Sequence, residues 1–178
     1  LSTPILTVSQ HSKYQICAEY PRIAPGEVVV LDSLLSFDEA GEELQGESGD
    51  SSELLSRLGL ISGGYLLMLN ANRPGKNALR ILAALETYRP ARLQEYSLAL
   101  VGFSDSLMEH VRRRYPWAAR LVVPIPFVEH AALPALYRGA LGLLFPSLSE
   151  GFGYPPLEAM YYGTPSLCAN VTAIPEVV

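Results

Sequence analysis

The sequence predicts an α/β domain, a doubly wound parallel sheet of the Rossmann-like kind. Three observations lead there. Five short apolar runs fall between Tyr65 and Ala169, and a segment of helical spacing or a helix-sized gap separates each from the next. The runs are apolar throughout rather than alternating, as strands covered on both faces must be. The intervening segments are long enough for right-handed crossover helices, which leave successive strands parallel. A chain of 178 residues, 49% hydrophobic and 17% charged, has the composition of a globular domain with one core, not that of a disordered chain.

Taken in order, Ile5 to Val8 reads as a strand, Ser9 to Tyr20 as a helix, and Glu27 to Leu31, with three consecutive valines, as a buried strand. The stretch from about 38 to 53 carries seven acids, three glycines and several serines, and reads as a flexible, solvated insert. Ser51 or Ser52 is placed to cap a short helix through Leu58 that Gly59 ends. The regular part follows: strand Tyr65–Leu69, helix Asn77–Tyr88, strand Ser97–Val101, a helix from Asp105 as cap to Tyr115, strand Leu121–Val123 and helix Leu133–Arg138. Strand Leu141–Phe145, helix Pro156–Tyr162 closed by Gly163, and strand Ser166–Ala169 complete it. No internal repeat is visible beyond this alternation.

The net charge of −5 is an average over unlike parts. Without the seven acids of the insert, 11 acids face 13 Lys and Arg, leaving +2. A near-neutral domain has no electrostatic footprint for nucleic acid. Cys17 and Cys168 fit neither a metal pattern nor a disulfide framework, which points to a reduced, cytoplasmic setting. No apolar run approaches the ~20 residues of a membrane-spanning helix, and no signal-peptide pattern is read at the start.

Ligands of such sheets bind beyond the carboxyl ends of the strands, which directs attention to the loops after Leu69, Val101, Val123 and Phe145. After Phe145, Gly151 and Gly153 flank Phe152 and let backbone amides come close to a ligand; Pro155-Pro156 then opens a helix. Free amides and a helix N-terminus make an anion site. Glu150 stands before the glycines and Glu158 in the first helical turn, and carboxylates beside an anion site suit hydroxyls of a sugar or ribose. Arg73 and Lys76, around Pro74-Gly75, supply cations for a diphosphate. Taken singly, Glu158 reads as dipole compensation, Glu150 as a loop acid, and both cations as solvated. Together the residues indicate a binder of nucleotides or phosphosugars.

The run Phe145-Pro146-Ser147-Leu148-Ser149-Glu150-Gly151-Phe152-Gly153-Tyr154-Pro155-Pro156-Leu157-Glu158-Ala159-Met160, followed by Gly163-Thr164-Pro165 and Ile174-Pro175-Glu176-Val177, closely resembles the donor-site signature of family-4 (group 1) retaining glycosyltransferases of the GT-B fold. Its two glutamates stand eight positions apart around a Gly-Phe-Gly turn. Lys76-Asn77, Val101-Gly102 and Leu133-Pro134-Ala135-Leu136-Tyr137 are supporting matches, and the resemblance runs from about Tyr65 to Val178. It implies a hexosyl transfer from a nucleoside-diphosphate sugar with retention of configuration, through front-side attack and without a metal or other cofactor. It also implies roles. Glu158 holds the ribose hydroxyls and Glu150 the sugar hydroxyls. The Gly151, Phe152, Gly153 and Tyr154 backbone, with Leu157, receives sugar and phosphates. Lys76 and Arg73 neutralise the leaving diphosphate, and the segment from Pro124 and Ile125 to Phe127 lines the base.

Two departures accompany the match. The family places a Gly-Arg pair directly after the first strand, where this sequence has Asn70-Ala71, so Arg73 is expected to substitute for that arginine. GT-B enzymes also have two Rossmann-like domains. Residues 1–26 resemble the end of the N-terminal domain and its linker, and 27–178 the donor-binding domain cut short at its C-terminus. The chain alone is therefore expected to bind donor but to transfer nothing until the N-terminal domain is supplied. The resemblance leaves the acceptor (sugar, lipid or protein) open. The competing readings are a non-catalytic sugar-nucleotide-binding or scaffolding subunit and a dinucleotide-dependent oxidoreductase; no Gly-x-Gly-x-x-Gly follows an early strand in support of the latter. Arg112-Arg113-Arg114 beside Tyr115 and Trp117 reads as a solvated helix face, the alternative being a peripheral contact with the inner face of a membrane. His11, His110 and His130 are read as satisfied or exposed.

Overall fold

The computed structural model describes residues 3–31, 48–88 and 95–178. The chain runs β1 (Ile5–Thr7), α1 (Gln10–Glu19), β2 (Val28–Val30), α2 (Ser48–Arg57), β3 (Tyr65–Met68), α3 (Ala78–Tyr88), β4 (Ser97–Val101) and α4 (Asp105–Arg114). It continues through β5 (Val122–Ile125), α5 (Leu133–Gly139), β6 (Gly142–Phe145), α6 (Tyr154–Tyr161), β7 (Ser166–Cys168) and α7 (Ile174–Val177).

The five apolar runs form one parallel sheet in the order β5-β4-β3-β6-β7. From β3 the chain winds outward to β4 and β5, crosses back through α5, and winds the other way to β6 and β7. Strand period decides which residue serves which face. Leu67, Leu69, Ala99, Leu143 and Phe145 pack with α2, α5, α6 and α7 on one side; Met68, Leu98, Leu100 and Leu144 pack with α3 and α4 on the other. The expected doubly wound architecture is the one observed.

Some expectations are corrected. The strand expected to be buried over 27–31 is only partly so. Val28, Val29 and Val30 pair in parallel with Ile5, Leu6 and Thr7 in a separate two-stranded ladder, and Val29 is 40% exposed. The insert expected over 38–53 lies outside the described residues up to 47, and from Ser48 it is helical. Burial of Leu55 against the sheet layer holds that helix, and Ser51 and Ser52 stand within it rather than at its cap. Ser104, not Asp105, caps α4: its Oγ accepts the Leu107 N–H at 3.3 Å, leaving Asp105 to complement the dipole in the first turn. Among the described residues, no helix is long and apolar enough to cross a membrane.

Candidate functional site

The winding reverses between β3 and β6, and ligands of such sheets bind beyond the carboxyl ends of the strands at that point. The loops leaving β3 and β6 carry Lys76 and Glu150. Each is pinned by the backbone of the other: Leu148 N–H donates to the Gly75 carbonyl at 2.8 Å, and Asn77 Nδ2 donates to the Pro146 carbonyl at 3.2 Å. Asn77 meets this geometry in the left-handed region, φ 63°, where asparagine is tolerated better than most residues. Lys76 Nζ reaches Glu150 Oε1 at 2.5 Å and lies 4.8 Å from the Phe145 ring centre. With side chains only 13% and 17% exposed, this pair is shielded from solvent, and each charge depends on the other.

The Glu150 N–H donates to Thr172 Oγ1 at 2.9 Å. Thr172 belongs to the loop after β7 and has φ 51°, an uncommon backbone for a β-branched residue. Beyond Glu150 the chain turns through Gly153 at φ 116°, a conformation that only glycine adopts readily, and enters α6 at Tyr154. The helix therefore begins two residues before the expected Pro156, and Glu158 lies in its second turn rather than its first. That undercuts simple dipole compensation as its purpose, since the effect fades within one turn. Glu158 is instead held from the core: Tyr137 Oη donates to Glu158 Oε2 at 2.6 Å. Tyr137 is fully buried and stacked on Tyr162 at 5.6 Å, and the Thr164 hydroxyl donates to its carbonyl. Burial, with the Glu158 charge and hydrogen bond adding to it, raises the Tyr137 pKa far above that of a free phenol, so the group is a fixed donor.

The first helical residues of α6 include Pro155 and Pro156, which have no N–H. An anion at this end would be met by the amides of Gly151, Phe152, Gly153 and Tyr154 and by the dipole, not by a full ring of first-turn donors. Phe152 packs on Tyr154, ring centres 5.1 Å apart, and Leu157 is half-buried.

The remaining expected residues are dispersed. Arg73 is exposed and lines a separate cavity of about 290 Å³ with Asn72, Pro74, Asn77, Leu79 and Leu107, apart from the Lys76–Glu150 pair. Pro124 is exposed, whereas Ile125 is 2% exposed and packed in the core, so only its backbone could meet a ligand; its carbonyl already accepts from Gly102 N–H at 2.7 Å. Phe127 is 78% exposed beyond it. The basic stretch of α4 is tied locally: Arg112 faces Glu109, and Arg114 faces Glu86 and stacks over Tyr115.

Tyr137 and Thr172 were not legible as site residues. Tyr137 stood in the sequence only as the end of the supporting match Leu133–Tyr137, with no role attached. Thr172 follows a strand, as site residues do, but threonine gives no hint of a left-handed backbone. From α1, Ser12 Oγ donates to the Gly151 carbonyl at 3.3 Å, and the Glu176 carboxylate accepts the N–H groups of Gln10 and His11 at 2.8 and 2.7 Å.

A parallel sheet whose winding reverses beside two carboxylates, a lysine and a glycine turn is an arrangement suited to phosphorylated ligands. Comparison with known proteins makes the class definite. The profile of the family described as Glycosyl transferases group 1 matches residues 62–178, and the chain belongs to that family. The O-antigen chain mannosyltransferase B of Escherichia coli is 32% identical over 98% of the chain, which covers 45% of that relative. The O-antigen chain mannosyltransferase RfbU of Salmonella typhimurium is 44% identical over 64% of the chain, covering 32% of that protein. The chain thus spans less than half the length of these curated relatives. Among solved structures, a complex of Anabaena Alr3699/HepE with UDP and glucose superposes over 100% of the chain and 47% of its own, with TM-score 0.79 at 19% identity. WaaG, a glycosyltransferase involved in lipopolysaccharide biosynthesis, covers 97% and 46% with TM-score 0.73 at 19% identity. These two show a shared fold.

Proposed function

We propose that the chain binds the nucleoside-diphosphate-sugar donor of a retaining hexosyl transfer. The observation carrying this is the meeting, at the reversal of the sheet, of Lys76 and Glu150 on one side of a glycine turn with the Tyr137-anchored Glu158 on the other. In this reading Glu158, stripped of mobility by its tyrosine, accepts from the ribose hydroxyls. The Gly151–Tyr154 amides receive the phosphates and sugar. Lys76 turns from Glu150 toward the diphosphate, and Glu150 toward the sugar hydroxyls. Arg73 is a second cation at the rim, and Pro124 with the Ile125 backbone borders the base.

For transfer, the acceptor oxygen bonds to the anomeric carbon from the face the diphosphate leaves. The carbon–oxygen bond to phosphate breaks with its electron pair on the diphosphate, and the acceptor proton passes to a phosphate oxygen. Lys76 stabilises the growing negative charge, the part a metal would otherwise take. We therefore expect chelation of divalent ions to leave donor binding unchanged, measured by titration with and without EDTA. The sugar we propose is mannose, on the strength of the two O-antigen mannosyltransferases. A cytoplasmic setting beside a membrane is part of this proposal, with the acceptor bound by the second domain of the two-domain fold.

Calorimetric titration with UDP, GDP, ADP and NAD, using Glu158→Gln as the control, tests the reading. Saturable binding of one nucleoside diphosphate, weakened about tenfold in the variant as a charged acceptor to ribose is lost, is the expected result. Binding of NAD alone, or equal affinity in the variant, would sink it.

A further inference from the structure

The Glu150–Gly151 pair is gripped at both ends by groups that lead to the N-terminus of α1. On one side, the Ser12 hydroxyl donates to the Gly151 carbonyl. On the other, the Glu150 N–H donates to Thr172, and the same loop continues into α7, where Glu176 accepts the N–H groups of Gln10 and His11. Ser9 completes the cap, its Oγ accepting the Ser12 N–H at 3.0 Å. The first three N–H groups of α1 are thus all satisfied, two of them by a residue 165 or more positions away in sequence. A carboxylate facing a helix N-terminus is also favoured by the helix dipole.

This bracket joins parts of the fold that the ladders do not. β1 and β2 share no strand pairing with the main sheet, and α1 is tied to Gly151 and Glu176 through a side chain and a helix cap. The bracket also contains the unusual backbone of Thr172, φ 51°. Such conformations persist where the surroundings enforce them, and they gather at functional sites.

We propose that Glu176 and Thr172 are positioning residues: they set the Glu150–Gly151 backbone, and so the aim of the Glu150 carboxylate, by anchoring it to the N-terminus of α1. The inference rests on the reading above that Glu150 serves the donor sugar. Neither residue touches the ligand. Their effect reaches it through Glu150 and so falls on recognition of the sugar, while Glu158 and the amides from Phe152 onward hold the nucleotide.

The test compares, by calorimetry on this chain, the affinities for UDP and UDP-glucose and for GDP and GDP-mannose. For the pair that binds, the ratio of the two affinities reports what the sugar adds. Glu150→Ala is expected to change that ratio by about tenfold, and Glu176→Gln and Thr172→Val to move it in the same direction by roughly threefold or more while leaving the bare diphosphate within about twofold. Thr172→Val keeps the shape and removes the acceptor; Thr172→Ser restores the hydroxyl and is expected to restore the ratio. If Glu150→Ala shifts the ratio while Glu176→Gln and Thr172→Val do not, or if these two weaken the bare diphosphate equally, the positioning role is overturned and the donor reading stands. Thr172→Ser behaving like Thr172→Val removes the hydroxyl from the account. A ratio indifferent to Glu150→Ala, or no binding of either pair, overturns the donor reading and the inference with it.

Discussion

At the scale of single residues, the site is built from charges that already have partners. Lys76 and Glu150 satisfy each other, and Tyr137 satisfies one oxygen of Glu158. Replacing Lys76 by methionine leaves a poorly exposed carboxylate without its cation, and a destabilisation of about 1–3 kcal/mol is expected from urea melts. The double variant Lys76→Met/Glu150→Gln should recover most of that loss, because the uncompensated charge is gone. Recovery by less than about a third would mean that the lysine contributes mainly through its packing on Phe145. The sequence showed these charges as residue types in suggestive loops. It could not show that Arg73 stays at the rim while Lys76 turns inward, because three positions in a tight turn differ in direction by backbone angles alone.

At the scale of elements, the turn through Gly153 fixes how α6 enters. Its φ of 116° is strained for any side chain whatever the space around it. Gly153→Ala should cost about 1–3 kcal/mol and, by tilting the Gly151–Tyr154 amides, weaken nucleoside diphosphate binding as well. A variant that binds normally would show that the amides are not the phosphate contact. Strands and helices from Tyr65 onward were legible because hydrophobic period and turn residues agreed there. The start of α6 was not, since Tyr154 carries no helix signal and two prolines obscured the boundary. Nor was the start of α2: a helix from Ser51 or Ser52 to Leu58 was legible, but its beginning at Ser48 lies in a stretch that reads as a solvated insert.

At the scale of the whole molecule, two phenols are sealed in the core: Tyr65, whose hydroxyl donates to the Leu136 carbonyl at 2.6 Å, and Tyr137. Burial raises both pKa values above the range of a free phenol. The folded state thus keeps protons that the unfolded chain releases at about pH 10, so this contribution is intact below that pH and is lost as pH rises beyond it. Unfolding free energy should fall by as much as about 1.4 kcal/mol per pH unit for each tyrosine, and Tyr137→Phe should make the alkaline slope shallower. An unchanged slope would assign the loss to other groups. Fold class and sheet were legible at this scale because they depend on pattern alone. The separate β1–β2 ladder was not, since three valines read alike in either sheet.

The reversal of the sheet also bears on the order in which the molecule is made. Lys76 and Glu150 are 74 positions apart in sequence, and they meet only after β6 has been laid against β3. The strands β3, β4 and β5 can gather through neighbouring segments, as can β6 and β7, but the seam between the two groups closes the longer loop and is the slower step on grounds of chain entropy. In the proposed reading, a nucleotide held across that seam would bind the finished sheet and not its halves. Its presence during refolding would stabilise the closed seam by mass action, and the heat of its binding would time the last act of folding.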